Sequence, residues 1–151
     1  YGTQAGSRLL HELSSIEVRA ADGVIGVQLR NTLHDNLQPY NWEEAARYLL
    51  TLDYDKSTYT MLTSRTTSQI SRKAMILNVN YELSDSLSRS LVKSGRTTAH
   101  ASYNVVIDNV YATFVAEEEA SLRAARQIAQ QLTNLLALHF AQGDSRGKYV
   151  R

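Results

Sequence analysis

The four histidines, His11, His34, His100 and His139, are the residues whose chemistry first calls for a test, because paired imidazoles bind zinc and single ones move protons near neutral pH. None stands two to four residues from another, so the chain has neither an HxH pair nor an HExxH helix face, and it holds no Cys to complete a thiolate site. His139 falls among apolar residues at helical spacing, where a packing role is expected, and His100 falls on the outward side of a strand pattern. The run Glu117-Glu118-Glu119 lacks the spaced oxygen ligands of a calcium loop; at the opening of a helical segment it would complement the helix dipole instead. No GxSxG, GxxxxGK[ST] or GxGxxG turn occurs, so nucleophile-elbow, phosphate-loop and dinucleotide chemistry lack their backbone requirements. The reading is a binding protein, not an enzyme, with no catalytic residue, no metal and no cofactor.

A basic set is the remaining candidate. Arg65, Arg72, Lys73, Arg89, Lys93 and Arg96 fall in or near one predicted loop and at the two ends of the hairpin after it. If the hairpin pairs, several of them gather at one end of the sheet and could hold phosphate groups, of a nucleic acid or of a phosphorylated lipid head. The alternative is solvated charge that discourages pairing at exposed strands. With 16 Lys and Arg against 15 Asp and Glu the net charge is +1, which supplies no global field, so any anion site must be local. Tyrosine numbers nine against two Phe and one Trp, and Tyr suits surfaces that are both apolar and hydrogen-bonding. Tyr48, Tyr54 and Tyr81 lie on expected core faces, whereas Tyr40, Tyr59 and Tyr111 sit near element ends, within reach of a partner.

The elements that must position these residues follow from hydrophobic periodicity. Leu13 to Ala20 alternates as a half-buried strand. After Asp22-Gly23, the residues Ile25, Leu29, Leu33 and Leu37 recur at helical spacing until Pro39 forbids continuation. Ala46 to Tyr54 predicts a second strand, Met75 to Leu83 a third, and Arg96 to Val105 a fourth whose inner face, Thr97, Ala99 and Ala101, is small enough to let a helix sit close. Residues 63–68 read as a loop, and Ser84-Asp85-Ser86 as a turn region. On a helical wheel of residues 120–142, Leu122, Ala125, Ile128, Ala129, Leu132, Leu135, Leu136, Leu138 and Phe140 fill an arc wider than the ~100° a core-facing helix needs. Either two neighbours sandwich that helix, or part of it faces another protein. The fold class is α+β: a single β-α-β-β-β-α domain over residues 1–151, with a four-stranded, mostly antiparallel sheet and two helices packed on one face. Residues 1–10 read as a leader and 143–151 as a flexible tail. No apolar run reaches the ~20 residues of a membrane span.

Five segments together carry a resemblance: Gly26-Val27-Gln28-Leu29-Arg30-Asn31-Thr32-Leu33, Asn80-Tyr81-Glu82-Leu83, Ser102-Tyr103-Asn104, Tyr111-Ala112 and Ala120-Ser121-Leu122-Arg123. Over residues 8–140 the chain resembles the lipopolysaccharide-assembly lipoprotein family LptE, nearest its alphaproteobacterial branch. Gly26, Arg30, Asn31, Tyr81, Tyr103, Asn104, Ala120 and Arg123 are the matching motif positions. The resemblance implies a protein on the periplasmic face of the outer membrane, held only by a lipid anchor on a Cys upstream of Tyr1. Its partner would be the β-barrel LptD, which it plugs and supports, and its ligand lipopolysaccharide, bound through the basic set. No nucleic acid is implied. The enterobacterial branch carries a basic residue just before the last helix, and Phe114 to Glu119 here has none. Beside this stands one alternative, a small RNA-binding α+β module, which the near-neutral charge and the missing aromatic RNA-stacking motif disfavour.

Overall fold

Alternating apolar residues write the sheet. In the computed structural model the backbone is described for residues 2–38, 45–63, 70–106 and 108–149, and side chains for 6–38, 45–61, 71–106 and 108–142. The elements run α1 (Gly2–Ser14), β1 (Ile16–Ala20), α2 (Val24–Leu37), β2 (Tyr48–Thr63), β3 (Ile70–Asp85), β4 (Leu91–Val106) and α3 (Val110–Tyr149). The strands lie in the order β1-β2-β3-β4, with β1 parallel to β2 and the other pairs antiparallel. A parallel pair needs a crossover, and α2 supplies it.

The register Leu52↔Tyr81, Lys56↔Leu77 and Leu77↔Ala99 puts even positions of β2 and odd positions of β3 and β4 on one face. On that face Leu50, Leu52, Met75, Leu77, Val79, Tyr81, Leu83, Ala99 and Ala101 are buried beneath the helices. The opposite face stays open and mostly polar, with Thr51, Asp53, Asp55, Asn80, Glu82, Arg96 and Thr98 exposed. This is the one-sided antiparallel sheet that alternation predicts.

The α2 stripe Ile25, Leu29, Leu33 and Leu37 is buried as its spacing requires. Gly26 lies where α2 meets the end of β1: a Cβ there would stand 1.7 Å from the Ala21 carbonyl oxygen, so only glycine allows the approach. Gly23 takes a φ of +117° where the chain turns into α2. The Tyr54 hydroxyl, donating to the Asp22 carbonyl oxygen at 2.8 Å, fixes that turn. The small inner face of β4 does let α3 close in, through Ala120, Ala124 and Ala125, all fully buried.

Three differences from the sequence expectation have physical reasons. The stretch read as a leader is helical from Gly2, and α1 rests Leu9 and buries Leu13 against the core, so a third helix packs on α2 and α3 while those two cover the sheet as expected. β2, β3 and β4 extend past their apolar alternation: the outer part of β2, from Asp55 to Thr60, is mostly polar on both sides, and ladder hydrogen bonds to β3 continue it where its own side chains bury little. Finally, α3 begins at Val110 and its backbone is helical through Tyr149, into the segment expected as a tail. Asn109 caps its start, its Oδ1 accepting from the Ala112 N–H at 3.0 Å. The glutamate triplet therefore sits inside α3, where Glu117 pairs with Lys56 at 3.3 Å and Glu119 with Arg123 at 2.8 Å, and is not a helix N-terminus.

Candidate functional site

The register separates the basic residues. Arg72 and Lys73 stand opposite Asn104 and Tyr103 at one end of the β3–β4 hairpin. Lys93 pairs with Leu83 near the other end, and Arg89 lies in the connecting turn. The ten residue steps along β3 from Lys73 to Leu83 span about 33 Å at about 3.3 Å per residue. One phosphate group cannot bridge that distance. The faces differ as well: Lys73 and Lys93 share the helix-covered side, while Arg72 and Arg96 project from the open side. Arg96 approaches Asp55 at 3.9 Å and Arg72 donates to the Ser102 hydroxyl at 2.8 Å, so both are already engaged. Arg65 lies outside the described residues. The single six-residue cluster thus resolves into a pair near the β2–β3 connection, Arg72 and Lys73, and a group near the β3–β4 turn, Arg89, Lys93 and Arg96.

A second feature lies where α3 begins. Val110, Tyr111, Phe114 and Val115 are all exposed on its first turns, Tyr111 at 78% and Phe114 at 62%. Val24 and Val27 of α2 add exposed apolar surface. Between the two helices a groove of about 460 Å³ is lined by Val24, Ile25, Tyr54, Lys56, Phe114 and Glu118, among others. Tyr59, on the open face of the same half of the sheet, and Met61, in the irregularity between Thr60 and Leu62, are exposed too. Apolar side chains grouped in this way, in a fold that buries its core well, mark a contact surface. Of the end-placed tyrosines, Tyr59 and Tyr111 are therefore reachable, and Tyr40 lies outside the described residues. Tyr48 packs on Phe140 at a ring separation of 5.1 Å, and Tyr81 is buried, as their core positions predict.

Most of the motif residues turn out to hold the architecture. Gly26 makes the close approach, and Tyr81, Tyr103 and Ala120 are buried. The Arg123 guanidinium bridges Glu119 and, at 2.9 Å, the Ser102 carbonyl oxygen on the outer edge of β4. Burial raises the pKa of both Tyr81 and Tyr103, with the Glu117 carboxylate adding to the effect at Tyr103. Arg30, Asn31 and Asn104 are exposed. Arg30 and Asn31 line, with His34, Glu17 and Gln38, a second groove of about 440 Å³ beside β1. Sequence reasoning could not separate these two uses of one motif, because a motif does not record which side of its helix is covered.

No group of three or more potential metal ligands occurs among the described residues. His139 packs edge-on to Phe140 at 5.3 Å, and burial, assisted by the Lys93 charge and opposed by Glu12, holds its pKa below the usual imidazole value. Among the described residues the open face mixes acids and amides with Arg72, Arg96 and His100 and shows no stack of aromatic side chains, which suits single-stranded RNA poorly. No described helix is long and apolar enough to cross a membrane.

The described residues thus form an open-faced α+β sandwich of helices on one side of a four-stranded sheet, with an exposed apolar shoulder at the start of α3. The chain belongs to the LptE family, described as lipopolysaccharide-assembly, which it matches over residues 13–136. Solved structures agree with that assignment. A protein from Caulobacter crescentus CB15 described as a lipoprotein is 27% identical, covers 90% of this chain over 97% of its own, and superposes with a TM-score of 0.72. Rare lipoprotein B from Shewanella oneidensis, at 13% identity, and a minor lipoprotein from Acinetobacter baumannii, at 15%, share the fold with TM-scores of 0.58 and 0.55. They cover 89% and 82% of this chain over 98% and 90% of theirs. No curated protein sequence matches the chain. The family fixes the general role: a lipoprotein of the cell envelope that serves lipopolysaccharide assembly.

Proposed function

We propose that this chain is a lipid-anchored subunit on the periplasmic face of the outer membrane that plugs and supports an LptD barrel, and that it contributes by binding and not by catalysis. The observation that carries the reading is the apolar shoulder of Val110, Tyr111, Phe114 and Val115 on a domain whose core is otherwise closed. Such a surface stabilises association by about 25 cal/mol per Å² of apolar area withdrawn from water, and its tyrosines tolerate a partly wet partner wall. In the native cell, depletion of the protein should lower the lipopolysaccharide accessible to surface labelling while other outer-membrane proteins still arrive. Unchanged surface lipopolysaccharide would remove the proposal.

Lipopolysaccharide binding is assigned first to Lys73, on the helix-covered side at the end of the hairpin that adjoins the apolar shoulder, where no ion pair to it occurs among the described residues, with Arg72 and the sequence-chosen Arg65 as its neighbours in the chain. Replacing Arg65, Arg72 and Lys73 by Ala should weaken binding to lipopolysaccharide micelles while the melting temperature holds. Equal binding by that variant, or loss only when Arg89 and Lys93 are replaced, would move the site.

A further inference from the structure

β1 ends at Ala20, which pairs with Leu52, whereas β2 continues to Thr63. From Tyr54 to Thr60 the strand is bonded to β3 along one edge, and no described residue pairs with the other. The direction of its backbone groups follows from the bonds on either side. The Tyr48 N–H donates to the Ser15 carbonyl oxygen, and the Leu52 carbonyl oxygen accepts from the Ala21 N–H, so even residues of β2 face β1. The N–H and C=O groups of Tyr54, Lys56, Thr58 and Thr60 therefore point out of the sheet in the slot β1 has vacated. Local chemistry agrees: lacking a strand to donate to, the Tyr54 N–H turns to its neighbour's carboxylate, Asp53 Oδ1, at 3.0 Å.

Natural edges are guarded by charge, proline or a covering element. The other long edge has such a guard, since Arg123 from α3 occupies the outward Ser102 carbonyl of β4. Along the bare length of β2 the one cation is Lys56, and its ammonium is drawn across to Glu117, away from the edge. Asp55 projects from the open face toward Arg96 at 3.9 Å, and the stretch beyond it, Ser57, Thr58, Tyr59, Thr60 and Met61, is β-prone and uncharged, with no proline. On the helix side this edge opens into the apolar groove of Val24, Ile25 and Phe114, with Glu118 at its wall. On the open side it is flanked by exposed Tyr59, and exposed Met61 follows in the irregularity after Thr60.

We infer that the bare edge of β2 from Tyr54 to Thr60 receives an extended segment of a partner polypeptide as an added strand. That segment carries apolar residues toward the groove and a basic residue toward Glu118. A row of outward N–H and C=O groups at strand spacing is matched by another strand, which meets them all at once. The groove then selects the alternate side chains, and the carboxylate sets their charge. The inference rests on the chain working inside a complex with an envelope barrel, which supplies the segment.

The test is amide hydrogen exchange, read residue by residue, on the free chain and on its complex with the co-expressed LptD barrel. In the complex the amides of Lys56, Thr58 and Thr60 should slow at least about 100-fold, as paired strand amides do. Thr58→Pro removes an outward N–H that no strand in this fold uses, so the fold should stand, while recovery of the complex falls about tenfold with the loss of one or two intermolecular bonds. A complex that forms with these amides exchanging as in the free chain would overturn the inference and leave the barrel reading intact. Failure to form any complex would overturn both. Protection in the free chain that grows with its concentration would assign the edge to a second copy and overturn the inference, and if Thr58→Pro does not fold, the exchange of the unaltered protein decides.

Discussion

Gly26 illustrates how one residue carries both the motif and the fold. Its missing Cβ lets α2 press on the Ala21 carbonyl, and Gly26→Ala should cost about 2–3 kcal/mol, because backbone and not a movable side chain blocks the added methyl. Gly6→Ala is the internal control: nothing stands within 4 Å of the added Cβ in α1, and the gain in helix propensity should stabilise by up to about 1 kcal/mol. Thermal melts of the two variants should move in opposite directions. Thr97 offers a third case, for its hydroxyl is buried under α3 without a hydrogen-bond partner. Thr97→Val keeps the shape and removes the unsatisfied oxygen, and should raise stability by about 1 kcal/mol. A fall in melting temperature would mean that the hydroxyl has a role the fold alone does not explain. None of these roles was legible in the sequence. Gly26 could be read there as a motif position, but the 1.7 Å approach that requires it depends on where β1 ends.

Elements were more legible than residues. The α2 stripe and the inner faces of β2, β3 and β4 follow from periodicity, since burial on one side imposes it. The wide arc of α3 is also accounted for: sheet, α2 and α1 bury Ile128, Ala129, Leu132, Leu136 and Phe140, and Leu138 is left 55% exposed. What hid α1 was the few apolar residues in it, and what hid the outer part of β2 was the polarity of both its sides from Asp55 to Thr60. Two element-scale effects of pH follow. The Asp85 carboxylate accepts the Leu87 and Ser88 N–H groups in the β3–β4 turn, and these bonds hold its pKa below the ordinary 3.8. Its contribution is therefore complete above that value and is lost as pH falls through the lower, folded one. His139 has its pKa depressed from 6.5 mainly by burial, so packing of α3 weakens as pH falls below 6.5 and the ring must take a proton. The melting temperature should decline from pH 7 to pH 5, and His139→Gln should flatten that decline while leaving the acid limb below pH 4 to Asp85→Asn. An identical pH profile for His139→Gln would show that the ring does not report on α3 packing.

At the scale of the whole molecule, the candidate site divides into parts that the sequence gathered and parts it could not. Listing the basic residues was possible from composition; placing Lys73 and Lys93 at opposite ends of a hairpin needed its register. The apolar shoulder was invisible because Val110 to Val115 precede the stretch whose wheel was drawn, and exposure is a property of neighbours. With α2 and α3 covering one side of the sheet and α1 packed on both, the molecule leaves the α3 shoulder, the bare edge of β2 and the open face accessible. All three adjoin in the outer half of the sheet, away from the β3–β4 turn. These are the surfaces that the proposed role inside an envelope complex would use, in a chain of the lipopolysaccharide-assembly family.

The most direct measurement is co-expression of the tagged chain with the LptD barrel of the same cell, followed by purification on the tag and determination of mass in detergent. A stable one-to-one complex is expected, reduced when Tyr111 and Phe114 are both replaced by Ser. A chain that elutes alone at its own mass in several detergents would contradict the account.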